Sequence, residues 1–342
     1  MLRTLSSIRF RVSPDCFVLL LALRWSGAAI AFLAMTHGVL SSAAEVALYP
    51  TKPIRIVTSE IGGGLDFVAR LVSQGLSDTL GQQVIVDNRP SGVFTGSIVS
   101  RASPDGYTLL FNGSSFWLLP FLQKNVPYDP VRDFAPITLA TSSPLMLVVY
   151  PGLPVKSVQE LIALARAKPG ELNYSSSSPG TPQHVAAELF KSMAGVNIVR
   201  IPYKGAGPAV VALVAGEVQL TFSSAGAAVP HIKSGRLRAL AVASAEPSAL
   251  APGLPTVASA GLQGFEAGSL WGFFAPAKTP VVLINRLQHE IVRVLNKADV
   301  KEKLFNATTE VVGSSPEKFA AVIKADMLRG SQVIKAAGIR AE

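Results

Sequence analysis

From Lys52 onward the chain alternates short β-rich runs with stretches of helical periodicity, which restricts it to an α/β architecture of mixed, mostly parallel sheet flanked by helices. Ile54 to Thr58 reads as a buried strand that runs into Gly62, Gly63 and Gly64. Val68, Leu71, Val72, Leu76 and Leu80 then mark one face of a helix at spacings of three and four, and Gly81 closes it. Val84 to Asp87 and Tyr107 to Phe111 are the next strands. Ile137 to Tyr150 is a long β-rich stretch interrupted by Ser142, Ser143 and Pro144, a candidate crossing between two units. A helix over Ser157 to Lys168 opens on a capping box, Ser157 with Glu160, and stops at Pro169-Gly170. Four later helices are predicted to start with proline at the first helical position, at Pro182, Pro208, Pro280 and Pro316. Strands at Asn173 to Ser176, Ile198 to Pro202, Gln219 to Phe222 and Leu237 to Val242 build a second α/β unit, and a second break falls over Ala243 to Pro247. The expected division is a discontinuous first lobe, residues 45–144 and 245–342, interrupted by a second lobe, residues 145–244.

A length of 342 residues suits two such units, but 49% hydrophobic against 15% charged residues is rich for them, and part of the excess is local. Residues 1–44 read as a signal peptide: Arg3, Arg9, Arg11 and Arg24 precede or interrupt the apolar stretches Cys16 to Leu23 and Ala28 to Met35. Neither stretch approaches the roughly 20 apolar residues that cross a bilayer. Ser42, Ala43 and Ala44 supply small residues for cleavage after Ala44, with an uncleaved anchor as the alternative. Export from the cytoplasm follows.

Composition excludes several chemistries. Cys16 is the one cysteine, and His37, His184, His231 and His289 lie far apart, so common zinc sites are not expected. The net charge of +9 is scattered without a basic run, which argues against nucleic acid as partner. There is no G-x-S-x-G elbow or P-loop to carry nucleophilic or phosphoryl chemistry, and no cofactor is expected. Two loops remain. Gly62-Gly63-Gly64-Leu65-Asp66 joins a strand to a helix, where free N–H groups and the helix dipole favour an anion, although a tight turn needing positive φ explains the glycines as well. Ser175 to Thr181 is a hydroxyl-rich loop opening on another helix start, equally readable as an N-cap satisfied by Thr181 alone. His184 on that helix reads as a packed or capping residue. Tyr203 to Pro208 is a weak dinucleotide fingerprint, lacking the third glycine.

Tyr49-Pro-Thr-Lys-Pro-Ile-Arg-Ile, Val86-Asp-Asn-Arg-Pro, Pro104-Asp-Gly-Tyr-Thr-Leu-Leu, Gly180-Thr with His184, Val199-Arg-Ile-Pro-Tyr-Lys-Gly-Ala-Gly-Pro-Ala and Leu237-Arg-Ala-Leu-Ala-Val together resemble the Bug family. Its members are periplasmic substrate-binding components of tripartite tricarboxylate transporters. The resemblance implies a two-lobed periplasmic-binding-protein fold of the Venus flytrap kind, a carboxylate held between the lobes without catalysis, membrane permease subunits as partners, and a monomer. Matched by position, the ligand contacts it implies are Gly62, Gly63, Gly64, Leu65, Asp66 and Ser114 in the first lobe and Ser177, Gly180, Thr181, Gln183 and Ser223 in the second. Gly64 and Leu65 stand where the family has serine and threonine, Glu60 and Ile61 where it has prolines, Pro182 where it often has serine, and Trp271 one place after the usual tryptophan. These departures, with Phe94, Phe116 and Trp117 expected near the cleft, suggest a less polar ligand such as an aromatic or branched monocarboxylate. A ligand sensor feeding a signalling system and an exported α/β enzyme are the alternatives.

Overall fold

The structure is a computed structural model that describes residues 49–90, 92–177 and 179–339. The expected leader over 1–44 lies outside the described residues. The chain divides into residues 1–51 and a second unit from Lys52 onward, which holds all the helices and strands that follow.

In chain order the elements are β1 (Ile54–Thr58), α1 (Gly64–Leu80), β2 (Val84–Asn88), α2 (Val93–Ser100), β3 (Thr108–Gly113), α3 (Ser114–Leu122), β4 (Phe134–Val149), α4 (Val158–Ala167), β5 (Asn173–Ser176), α5 (Pro182–Ala194), β6 (Val199–Pro202), α6 (Ala206–Ala215), β7 (Leu220–Ser224), α7 (Ala225–Lys233), β8 (Arg238–Val242), β9 (Gly268–Pro276), α8 (Val281–Leu295), α9 (Ala298–Asn306), β10 (Glu310–Val311) and α10 (Pro316–Ala336). The strands lie in the order β2-β1-β3-β9-β4-β7-β5-β6, with β8 and β10 also pairing with β4. β1 is parallel to β2 and β3, and β5 to β6 and β7. β9 is antiparallel to both of its neighbours.

β4 organises the sheet. Its residues Phe134 to Pro144 pair with β9, and Leu145 to Val149 pair with β7 and β8. The interruption expected at Ser142 to Pro144 does not occur: one 16-residue strand runs through it. Pro144 falls where β4 exchanges β9 for β7, the place in a strand where a missing donor costs least.

Each half of the sheet has its own core. Around the first part of β4, Phe116, Trp117, Phe134, Phe274 and Phe319 form an aromatic cluster with Val57 and Leu110. In the second part, Leu145, Leu147 and Val149 face Tyr174, Phe190 and Phe222, while Met146 and Val148 face Val210 and Leu213. That alternation puts apolar residues on both faces, which explains the unbroken hydrophobic run. Val257, Leu262 and Phe265 belong to the same cluster as Leu145, so the chain stays with the second half well past residue 245, and β9 starts the return at Gly268.

Helix ends largely follow local chemistry. Gly81 caps α1 in the left-handed conformation, and Ser157 Oγ accepts the Glu160 N–H. Pro182 and Pro316 begin α5 and α10 as expected. α6 instead starts at Ala206, placing Pro208 third, and Pro280 is the N-cap of α8. The first helical N–H groups have no intrahelical partner, so proline is tolerated anywhere in that turn and does not fix the starting residue.

Phe274 is the hub of the first core, with ring centroids 4.9 Å from Phe319 and 5.4 Å from Phe116. Phe274→Ala is expected to cost about 3–5 kcal/mol in urea unfolding; a loss below about 1 kcal/mol contradicts this packing.

Candidate functional site

Four strands with parallel neighbours run at their carboxyl ends into helices: β1 into α1, β3 into α3, β5 into α5 and β7 into α7. Gly113 is followed at once by the first residue of α3, and Ser224 by that of α7. Such strand ends are where open α/β sheets bind ligands, because helix N–H groups point outward there.

In the first half, Gly62 has φ +86°, and its N–H donates to Asp66 Oδ2 at 2.9 Å. Asp66 Oδ1 accepts from Asn88 Nδ2 at 2.9 Å and pairs with Arg70 Nε at 2.9 Å. Burial alone would raise the Asp66 carboxyl, but the bonds from Arg70, Gly62 and Asn88 outweigh it and hold it ionised below its ordinary range. Asp66 thus folds the glycine loop back onto its own helix. Gly62, Gly63 and Gly64 stay exposed and Leu65 is half-buried.

The second half repeats this arrangement with different chemistry. Gly180 has φ +74°, and its N–H donates to Nδ1 of His184, again four residues later, at 3.1 Å. Thr181 holds the N-cap position of α5 but its side chain makes no capping bond; its Oγ1 accepts from Ser177 Oγ at 3.0 Å. The alternative reading, in which the Thr181 side chain caps the helix, is therefore corrected: no side-chain capping bond forms, and Thr181 Oγ1 meets Ser177 instead. Burial, reinforced by the Arg200 charge, pushes His184 down to about 4. It is neutral at pH 7, with its proton on Nε2. Arg200 braces the loop from beneath, donating from Nε to Ser176 Oγ and from Nη2 to the Ser177 carbonyl, both at 2.7 Å.

Ser114 and Gly180 come from opposite halves of the sheet and line one cavity of about 30 Å³, together with Pro182, Glu266, Asp326 and Arg329. Gly180 packs so closely on Leu122 of α3 that a Cβ there would lie 2.5 Å from Leu122 Cδ1. Gly62 to Asp66, Ser177, Thr181, Gln183 and Ser223 do not line this cavity. Gln183 is half-buried, and Ser223 is buried in β7 opposite Met146.

Three residues outside the sequence reading shape the region. Arg329 pairs with Glu266, joining α10 to the segment that leads into β9. Asp326, one turn before Arg329 on the same face, accepts the Trp117 Nε1–H at 2.7 Å. Nothing in the sequence ties α10 to this cavity, since the contact spans 209 residues. In addition to Arg329, Glu266 and Asp326, Trp271, the displaced tryptophan of the sequence, projects from β9 to the starts of α1 and α3.

The expected aromatic lining does not form. Phe116 and Trp117 are buried, 2% and 0% exposed, because the all-round apolar α3 sinks into the first core, and Phe94 is 56% exposed to solvent. The case for an aromatic ligand loses these residues. Among the described residues no three His, Cys, Asp or Glu side chains converge to hold a metal ion.

Because His184 titrates lower in the folded chain than its ordinary 6.5, the unfolded chain binds the proton first. The stability it lends is complete above about pH 6.5 and is lost as pH falls toward 4. His184→Gln is expected to flatten that part of the stability curve, measured by thermal melts across the range; an unchanged slope contradicts the assignment.

Residues 68–339 match the family model described as the tripartite tricarboxylate transporter family receptor. Protein BugT of Bordetella pertussis is 36% identical over 300 residues, 85% of this chain and 91% of that protein. Among solved structures, R. palustris Rpa4515 with adipate is 34% identical, with a TM-score of 0.70 over 86% of this chain and all of that one. MatC from Rhodopseudomonas palustris with bound malate is 28% identical, with a TM-score of 0.67 over 84% of this chain and all of that one. With the mixed sheet and helix starts described above, these matches identify a two-lobed solute-binding fold, and the chain belongs to the tripartite tricarboxylate transporter receptor family.

Proposed function

We propose that this chain is an exported periplasmic protein that captures a small carboxylate between two lobes and delivers it to membrane permease subunits, acting as a monomer and without catalysis. The observation that carries the reading is that Ser114 and Gly180, each at a helix start and each from a different half of the sheet, share one cavity. A ligand there meets backbone N–H groups and helix dipoles from both sides. We take the lobes as residues 52–144 with 268–339, and 145–267. This moves the return crossing from residue 245 because Val257 to Phe265 pack in the second core. The leader 1–44, cleaved after Ala44, supplies the export step.

A volume of about 30 Å³ admits one or two waters but no dicarboxylate, so binding requires the halves to part and close again. Closure is then driven by contacts available only when both helix starts reach the ligand. Each dipole contributes about 0.3–1 kcal/mol, against about 8 kcal/mol for micromolar affinity. Direct hydrogen bonds and burial of the carbon chain supply the rest. The related structures hold adipate and malate, which supports a dicarboxylate as the first ligand to test. The site chemistry favours binding: the Ser177 hydroxyl donates to Thr181 Oγ1, and His184 is neutral with Nδ1 already engaged by the Gly180 N–H.

Calorimetric titration of the chain lacking residues 1–44 with adipate, malate and citrate is expected to give micromolar or tighter binding to at least one, and Ser114→Ala, in the cavity lining, to weaken it about tenfold. Absence of binding to all three overturns the reading.

A further inference from the structure

Gly64, the first residue of α1, and Gly113, the N-cap of α3, are both required to be glycine, and for neither is backbone conformation the reason. Gly113 has φ −115°, and Gly64 also lies outside the left-handed region. The side chain crowding both is the same one, joined at Gly113 by the Leu270 carbonyl oxygen, 3.0 Å from where a Cβ would lie. A Cβ on Gly64 would lie 2.6 Å from Cη2 of Trp271, and a Cβ on Gly113 would lie 2.7 Å from its Cδ1. The indole therefore bridges the two helix starts, its six-membered ring against α1 and its five-membered ring against α3. β9 aims it there: Trp271 pairs with Gly113 on one side and Thr141 on the other, while Leu270 and Phe274 point to the opposite face and pack in the first core. Trp271 is only half-buried, so part of the ring remains open at the carboxyl ends of β1 and β3.

We propose that Trp271 is a specificity-determining residue that selects carboxylates with an unsubstituted carbon chain over hydroxylated ones. The proposal rests on the reading of these helix starts as a carboxylate site. By crowding positions 64 and 113, the ring keeps side-chain hydroxyls out of both and stands as a largely apolar wall beside the first-turn N–H groups of α1 and α3; the Gly113 N–H itself is held by Asn112 Oδ1. The N–H groups receive the carboxylate; methylenes next to it lie on the indole and leave water. A hydroxyl on the part of the chain that lies over the six-membered ring, away from Nε1, loses its water and meets carbon, a penalty of about ten- to a hundredfold in affinity.

The test compares two matched pairs, succinate with malate and adipate with 3-hydroxyadipate, titrated against the chain lacking residues 1–44. The unsubstituted member is expected to bind about ten- to a hundredfold tighter. Trp271→Ala is expected to bring that ratio close to one, Trp271→Phe to preserve most of it, and Gly64→Ser to weaken both ligands by displacing the ring. The double variant G64S/W271A is expected to bind the hydroxylated member as well as or better than the other. Gly64→Ala, whose methyl shifts the ring without deleting it, reads the same coupling if Trp271→Ala does not melt as a folded protein. A preference for the hydroxylated member in the native chain, or a ratio that survives in Trp271→Ala and Gly64→Ala, overturns the proposal while leaving the carboxylate site standing. No binding of either pair by the native chain overturns the site reading itself, and this proposal with it.

Discussion

The antiparallel pairing of β4 with β9 is the constraint on which the rest of the structure depends. β4 contributes its first part to one hydrophobic core and its last five residues to another, so neither half of the sheet is complete without it. β9 lies beside it up to the pairing of Pro144 with Gly268, where the partners change. A carboxylate site built from both halves inherits its geometry from this pair of strands. The helix starts at Ser114 and Gly180 meet because β3 is bonded to β9 on one side and β5 is linked to β4 through β7 on the other.

The two anion-facing loops are built alike although their sequences differ. In each, a glycine with positive φ donates its N–H to a side chain four residues later, Asp66 in one and His184 in the other. That bond consumes one amide and fixes the direction of the following ones. The first-turn N–H groups of Gly64, Leu65 and Asp66, and of Gln183 and His184, have no partner within their helices by the geometry of an α-helix. Preorganising these amides spares the ligand the cost of ordering them. An acid serves in the first loop, where Arg70 and Asn88 surround it; a neutral imidazole serves in the second, where Arg200 already supplies positive charge beneath the loop.

Much of the fold was legible because it rests on local chemistry. The glycine that ends α1, the capping serine of α4 and strands β1, β2 and β3 stand close to where period and turn residues put them, whereas β9 has no counterpart in the sequence reading. The failures share a cause, since each depends on what lies across the chain. Ser142 to Pro144 reads as a break until the change of partners on β4 is known. Phe116 and Trp117 read as cleft residues because a short apolar helix does not reveal which side of a sheet it covers. Of the expected contacts, Ser114 and Gly180 share a cavity, whereas Asp66 turns out to brace its own loop. The displaced tryptophan and the missing hydroxyl at position 64 are separate oddities in the sequence and one contact in space.

The central claim is that one ligand engages a helix start from each half at once. Hydrogen–deuterium exchange followed at single amides, with and without a saturating dicarboxylate, tests it most directly. The account predicts slowed exchange at Ser114 and Ser115 together with Gln183 and His184, while amides on the far side of the sheet are unchanged. Protection confined to one of the two helix starts, or absent from both, contradicts it.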